Sequence, residues 1–82
     1  MIRNQRGLHA RAAAKFVKVV GQHQARVLVC RNGMEVGGDS IMGLMMLAAG
    51  PGSTVSLQAS GPEAIPVLDA LQALIERKFD EE

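Results

Sequence analysis

His9 and Arg11 are the residues whose types and spacing suggest chemistry in this sequence. Apolar side chains recur at helical spacing over residues 10–20, so His9 stands at the predicted start of a helix. A helix start offers unpaired backbone amides and the positive end of the helix dipole, which together bind anions. An imidazole nitrogen there can attack phosphorus, and the Arg11 guanidinium can pair with phosphate oxygens. We therefore predict that His9 is a nucleophile that carries a phosphoryl group, although a histidine in this position is more often a simple polar cap.

Ser40 precedes a second predicted helix, from residue 41 to about residue 49, before the Gly50-Pro51-Gly52 stop. A plain N-cap is the more frequent role for such a serine, but a kinase could also phosphorylate it at the electropositive helix end. The helix is apolar on nearly every side. It is therefore either buried on most sides or partly exposed as a docking patch, and the sequence leaves both possibilities open for its apolar residues, Ile41, Met42, Leu44, Met45, Met46 and Leu47.

Two further residues with reactive side chains carry no predicted chemistry. Cys30 is the only cysteine, which excludes an internal disulfide and fits a reducing, cytoplasmic setting. It is predicted to be an inert strand residue. His23 lies in a polar run without a neighbouring acid or base, so we expect an ordinary loop residue. No metal site and no cofactor are expected.

Composition and charge set the class of protein. The chain has 82 residues, enough for a single domain over residues 1–82, and its core must be aliphatic because only two residues are aromatic. No apolar run approaches the roughly 20 residues that cross a bilayer. Residues 1–34 contain seven basic residues and no acidic one, whereas the chain ends in Asp80, Glu81 and Glu82. A positive face is therefore expected; because aromatic stacking groups are scarce, an acidic protein surface or a phosphate is the favoured partner rather than nucleic acid.

The remaining pattern predicts an antiparallel sheet with helices on one face, an α+β fold. Gly21 is the expected stop of the first helix, and Asn32-Gly33 is a strong signal for a two-residue hairpin turn. Only residues 1–5 could form a strand before Gly7, so that strand is expected to be very short or truncated. The other predicted elements are strands at Arg26–Arg31, Met34–Gly37 and 54–59 and a helix at 63–79, with an apolar stripe of Leu68, Leu71, Ile75 and Phe79.

Two segments resemble the HPr family, the phosphocarriers of the bacterial phosphoenolpyruvate-dependent phosphotransferase system. Residues 7–13, Gly-Leu-His-Ala-Arg-Ala-Ala, are similar to its active-site signature, and residues 39–45, Asp-Ser-Ile-Met-Gly-Leu-Met, to its regulatory serine segment. The resemblance covers nearly the whole chain. It implies an open-faced β-sandwich, with four antiparallel strands covered on one face by three helices. It departs at Ala12, where the family usually has proline; alanine favours helices, so the helix should survive.

The resemblance also implies a function. His9 would accept a phosphoryl group on Nδ1 from phospho-enzyme I, with help from Arg11, and pass it to an enzyme IIA domain. The protein would be a monomeric carrier rather than a turnover enzyme. Ser40 would be a substrate of HPr kinase/phosphorylase, and its phosphate would hinder exchange with enzyme I. The positions implied in transient partner binding are Ile41, Met42, Met45, Arg11, Lys15 and Lys18.

Three alternatives remain at this point. The first is an HPr-like regulatory protein that acts through Ser40 without carrying phosphate on His9. The second is a small nucleic-acid-binding domain that uses the basic half of the chain, whose binding would weaken steeply with salt. The third is an interaction module without chemistry, supported only by the methionine-rich helix.

Overall fold

Three α-helices cover one face of a three-stranded antiparallel sheet in the computed structural model, which describes Ile2, residues 9–47, Gly50 and residues 52–80. The predicted α+β class is confirmed. In chain order the elements are α1 (Ala10–Gly21), β1 (Arg26–Arg31), β2 (Met34–Gly37), α2 (Ile41–Met46), β3 (Ser56–Ser60) and α3 (Ala64–Glu76), followed by a 3-10 turn at Lys78–Asp80.

The hairpin of β1 and β2 forms as predicted. Arg31 pairs with Met34, which leaves a loop of Asn32 and Gly33 with φ of 52° and 81°. Positive φ at both central residues is what a tight hairpin turn requires, and asparagine and glycine tolerate it best. β1 is the central strand of the sheet, because β3 pairs with its other edge.

The core lies between the helices and the inner face of the sheet. Side chains alternate along β1, so Val27 and Val29 point to the helices and are buried. The helices contribute apolar stripes that face Val27 and Val29 of the sheet. The buried helical residues are Ala12, Ala13, Phe16 and Val20 of α1, Leu44 of α2, and Val67, Leu71, Leu74 and Ile75 of α3.

The bounds of α1 are confirmed to within one residue, but its end differs from the prediction. Gly21 is the last helical residue and does not adopt the positive φ of a glycine stop. His23, expected to be an ordinary loop residue, closes the helix instead, since its Nδ1 donates to the Val19 carbonyl at 2.8 Å. A histidine donor at a helix C-terminus satisfies one of the carbonyls left without an intrahelical partner.

Two other predicted bounds are wrong because contacts with distant segments set them. α2 ends at Met46, not near residue 49, and Leu47 is its cap; residues 48, 49 and 51 lie outside the described residues. β3 covers Ser56–Ser60 rather than 54–59, because its pairing with β1 runs only from Cys30 opposite Ser56 to Arg26 opposite Ser60.

α3 ends at Glu76, three residues before the predicted end. Lys78, Phe79 and Asp80 then adopt left-handed φ of 59°, 55° and 59°. This conformation costs roughly 1–2 kcal/mol per non-glycine residue. The turn nevertheless buries the Phe79 side chain completely. In the predicted apolar stripe, Leu68 is only half-buried.

The predicted first strand falls on residues 1–5, of which only Ile2 is described. Ile2 is buried and makes two backbone hydrogen bonds: its N–H donates to the Ser53 carbonyl at 2.7 Å, and its carbonyl accepts from the Gly52 N–H at 2.8 Å. Ile2 is thus bound to the segment that precedes β3. None of the helices formed by the described residues has the length and apolar character that a membrane span requires.

Candidate functional site

His9 is the N-cap of α1. Its φ and ψ of −79° and −179° are extended, and its carbonyl accepts the first helical hydrogen bond, from the Ala13 N–H at 2.8 Å. The ring turns back onto the helix, where Nδ1 accepts from the Arg11 backbone N–H at 3.2 Å. A ring nitrogen that accepts carries no proton, so in the neutral ring the proton is on Nε2. The structure therefore keeps the Nδ1 lone pair at the amide-rich end of the helix.

The electrostatic setting of His9 favours an anion. The first residues of a helix have no intrahelical acceptor for their amides, which gives this end partial positive charge. The first turn of α1 contains no acidic residue that would oppose it. The side chain of Arg11 is exposed to solvent and adds a full positive charge two residues from His9.

The two lysines predicted to bind partners lie in different environments. Lys18 is exposed. Lys15 is half-buried, and its Nζ donates to the Phe79 carbonyl at 2.6 Å, so it fastens the C-terminal turn to α1. Sequence patterning could not reveal this contact, because the two residues are 64 positions apart.

Ser40 is the N-cap of α2, as predicted. Its Oγ accepts from the Gly43 N–H at 3.0 Å. Gly43 allows this close arrangement, since a Cβ at position 43 would lie 3.0 Å from Ser40 Oγ and 3.1 Å from Val36 Cβ. The missing side chain lets α2 lie directly against β2.

α2 is partly exposed and not buried on most sides. Leu44 is buried, while Ile41, Met42 and Met45 are 40%, 74% and 43% exposed. Met46, which the sequence-based assignment of partner residues omitted, is 66% exposed. We call the four residues Ile41, Met42, Met45 and Met46 the α2 surface. α1 packs against α2, so the helix that carries this apolar surface is a direct neighbour of the helix that begins at His9.

Arg31 is a second residue that the sequence analysis did not single out. Its Nη1 donates to the Leu47 carbonyl at 2.9 Å and its Nη2 to Ser53 Oγ at 3.5 Å. The signal available in the sequence was the alternation of β1, which puts Arg31 on the same face as buried Val27 and Val29.

Cys30 lies in strand β1, as predicted. It faces Glu35 across the hairpin, with its Sγ donating to Glu35 Oε2 at 3.6 Å. Partial burial, this hydrogen bond and the charge of Glu35 all raise the pKa of the Cys30 thiol, which lowers its thiolate fraction at neutral pH. In the described part of the chain, no three histidine, cysteine or acidic side chains cluster as metal ligands would.

Comparison with known proteins agrees with this arrangement. The family model described as the PTS HPr component phosphorylation site matches residues 1–77. The phosphocarrier protein HPr of Cupriavidus necator is 51% identical over 78 residues, which cover 95% of this chain and 88% of the relative.

Two solved structures from Thermoanaerobacter tengcongensis have the same fold. One, described as HPr-C-His, has a TM-score of 0.94 at 41% identity, covering 99% of this chain and 91% of that one. The other, described as an HPr dimer, has a TM-score of 0.84 at 40% identity, covering 99% and 93%. With the match over nearly its whole length, the chain belongs to the HPr family, the phosphocarrier proteins of the phosphotransferase system.

Proposed function

We propose that His9 Nδ1 accepts a phosphoryl group from phospho-enzyme I and passes it to an enzyme IIA domain. The observation that carries this proposal is the hydrogen bond from the Arg11 N–H to Nδ1, 3.2 Å long, at the start of α1. It selects the tautomer in which the nitrogen that faces the helix amides is the nucleophile.

The transfer then needs no proton to leave Nδ1. As the Nδ1 to phosphorus bond forms, the bond from phosphorus to the donor breaks, and the ring keeps its proton on Nε2. The Arg11 N–H loses its ring acceptor and can donate to a phosphoryl oxygen, while the exposed guanidinium of the same residue can pair with the others. Both groups stabilise negative charge without a metal or a cofactor.

Docking of both partners is proposed to use the α2 surface together with the basic residues of α1. Apolar methionine side chains adapt to more than one partner, which suits a carrier that binds a donor and an acceptor in turn. Arg11 and Lys18 are exposed and available to an acidic partner, whereas the Lys15 ammonium is already bound to the Phe79 carbonyl.

A single domain over residues 1–82, acting as a monomer in the cytoplasm, completes the proposal. A monomer leaves the α2 surface accessible to both partners. Two structural relatives are described as dimers, so the mass in solution, measured by light scattering, tests the monomeric state directly.

Phosphorylation by enzyme I, Mg²⁺ and phosphoenolpyruvate tests the proposed role of His9. Intact mass should show one added phosphate that acid removes. His9→Ala should abolish it, and His23→Ala, which changes the other histidine, should not. Label on folded His9→Ala, or none on folded wild type, would refute the assignment.

Regulation through Ser40 is a second candidate, supported by the placement of its Oγ at the N-cap of α2. A phosphate there would put roughly two negative charges next to the α2 surface and would repel an acidic partner. Incubation with an HPr kinase and ATP should add one acid-stable phosphate to wild type and none to Ser40→Ala. An unchanged rate of enzyme I-dependent transfer after this modification would refute a regulatory effect.

Binding of nucleic acid is disfavoured by two contacts of the basic half. Lys15 and Arg31 both donate to backbone carbonyls inside the protein, which reduces the charge offered to phosphates. A gel shift at two salt concentrations should show no binding at either, and a complex that weakens steeply with salt would support the alternative.

A further inference from the structure

The helix that carries the α2 surface is too short to be stable without contacts to the rest of the protein. α2 has six residues, and isolated helices below about 12–15 residues are marginal in water. Only Leu44 is buried among these six. Its N-terminus is capped by Ser40, but its last turn contains no basic residue of its own that could bind the final carbonyls.

Arg31, a residue of the sheet, supplies the positively charged donor at the end of α2. It is the last residue of β1 and lies on the inner face, so its side chain runs beneath the end of α2. The guanidinium donates to the carbonyl of Leu47, the residue that caps α2, at 2.9 Å. Its positive charge also complements the negative end of the helix dipole.

The same guanidinium extends the network to the segment that precedes β3. Nη2 reaches Ser53 Oγ at 3.5 Å, and the Ser53 carbonyl accepts from the Ile2 N–H at 2.7 Å. One side chain of β1 therefore fixes the end of α2 relative to the segment that leads into β3.

From this geometry we propose that Arg31 is a positioning residue for phosphoryl transfer, which orients the α2 surface for docking through its bond to the Leu47 carbonyl. The inference rests on the proposed use of that surface. Arg31 acts on partner binding and not on the chemistry of His9, because its contacts are with the C-terminal end of α2 whereas His9 caps the start of α1.

The test separates docking from chemistry. Enzyme I-dependent phosphorylation gives kcat and KM for this protein as substrate, while phosphoramidate, a small phosphoryl donor, phosphorylates a histidine without docking. Loss of one charged hydrogen bond from Arg31→Met should raise KM by roughly three- to tenfold with kcat little changed. The rate with phosphoramidate should equal that of wild type.

Two variants provide the matched comparisons. Arg31→Lys keeps a cation that can reach the Leu47 carbonyl but loses the fork to Ser53, so it should restore most of the KM. Arg26→Met removes an arginine from the other end of the same strand, where it is exposed on the outer face, and should leave KM unchanged. Hydrogen exchange should be faster at the amides of α2 in Arg31→Met than in Arg26→Met.

An Arg31→Met protein that is folded and keeps the wild-type KM would overturn the proposal. So would an equal fall in the enzyme I and phosphoramidate rates, since that indicates general loss of structure. If Arg31→Met does not fold, an Arg31→Lys protein with unaltered KM and unaltered exchange in α2 would overturn the proposal in its place. Failure of wild type itself to accept phosphate from enzyme I would instead refute the proposed function, and the Arg31 inference with it.

Discussion

Replacement of Lys15 by methionine tests whether this residue is a structural anchor rather than a partner contact. The substitution keeps an apolar side chain of similar length and removes the ammonium that donates to the Phe79 carbonyl at 2.6 Å. A half-buried carbonyl then loses a charged donor, which costs about 1–2 kcal/mol. The left-handed turn at Lys78–Asp80 loses one of the contacts that offset its strain.

The expected shift is large for a protein of this size. For a domain of 60–100 residues, about 1 kcal/mol moves the midpoint of thermal unfolding by roughly 4–8 °C, so Lys15→Met should melt about 4–16 °C below wild type. Lys18→Met is the matched control, because Lys18 is exposed on the same helix and should change the unfolding free energy by no more than about 0.5 kcal/mol.

Circular dichroism melts and enzyme I kinetics together distinguish a structural role of Lys15 from a role in partner binding. Lys18→Met should raise KM for enzyme I without lowering the melting temperature. Lys15→Met should lower the melting temperature and leave KM unchanged. If Lys15→Met melts with wild type while raising KM, the bond to Phe79 contributes nothing to stability and Lys15 is a partner-binding residue after all.

Three further predictions concern other parts of the fold. Ala12→Pro should change the unfolding free energy by less than about 1 kcal/mol in a denaturant titration, because α3 already accepts Pro66 at the same third helical position. Glu35→Gln should speed alkylation of Cys30 by iodoacetamide near pH 8, since the carboxylate helps to raise the pKa of the thiol. The hydrogen bond from Arg77 lowers the pKa of the Asp80 carboxyl, so its stabilising effect is present above about pH 3.9 and is lost as pH falls through the folded value. Asp80→Asn should therefore flatten the acid limb of the stability curve, and an unchanged limb would contradict the assignment.

The features that could be predicted from the sequence depend on interactions between residues that are close together in the chain. Helical periodicity placed α1 and put His9 at its start, the Asn32-Gly33 pair placed the β hairpin, and a serine before an apolar run gave the cap of α2. Each of these features depends on neighbours within a few residues. The candidate phosphoryl-accepting site is of this kind, because His9 and Arg11 meet across two positions of one helix start.

Tertiary structure decided the features that depend on distant residues. The exposure of the α2 surface, the partner of Lys15 and the partners of Arg31 each result from elements that are far apart in sequence and packed together in space. The end of α3 is the clearest case: helical periodicity continues to Phe79, yet burial of its ring and the bond from Lys15 hold a left-handed turn there instead. Burial and long-range hydrogen bonds outweigh the local preference for helix at such positions. Helical periodicity in the sequence does not reveal these contacts.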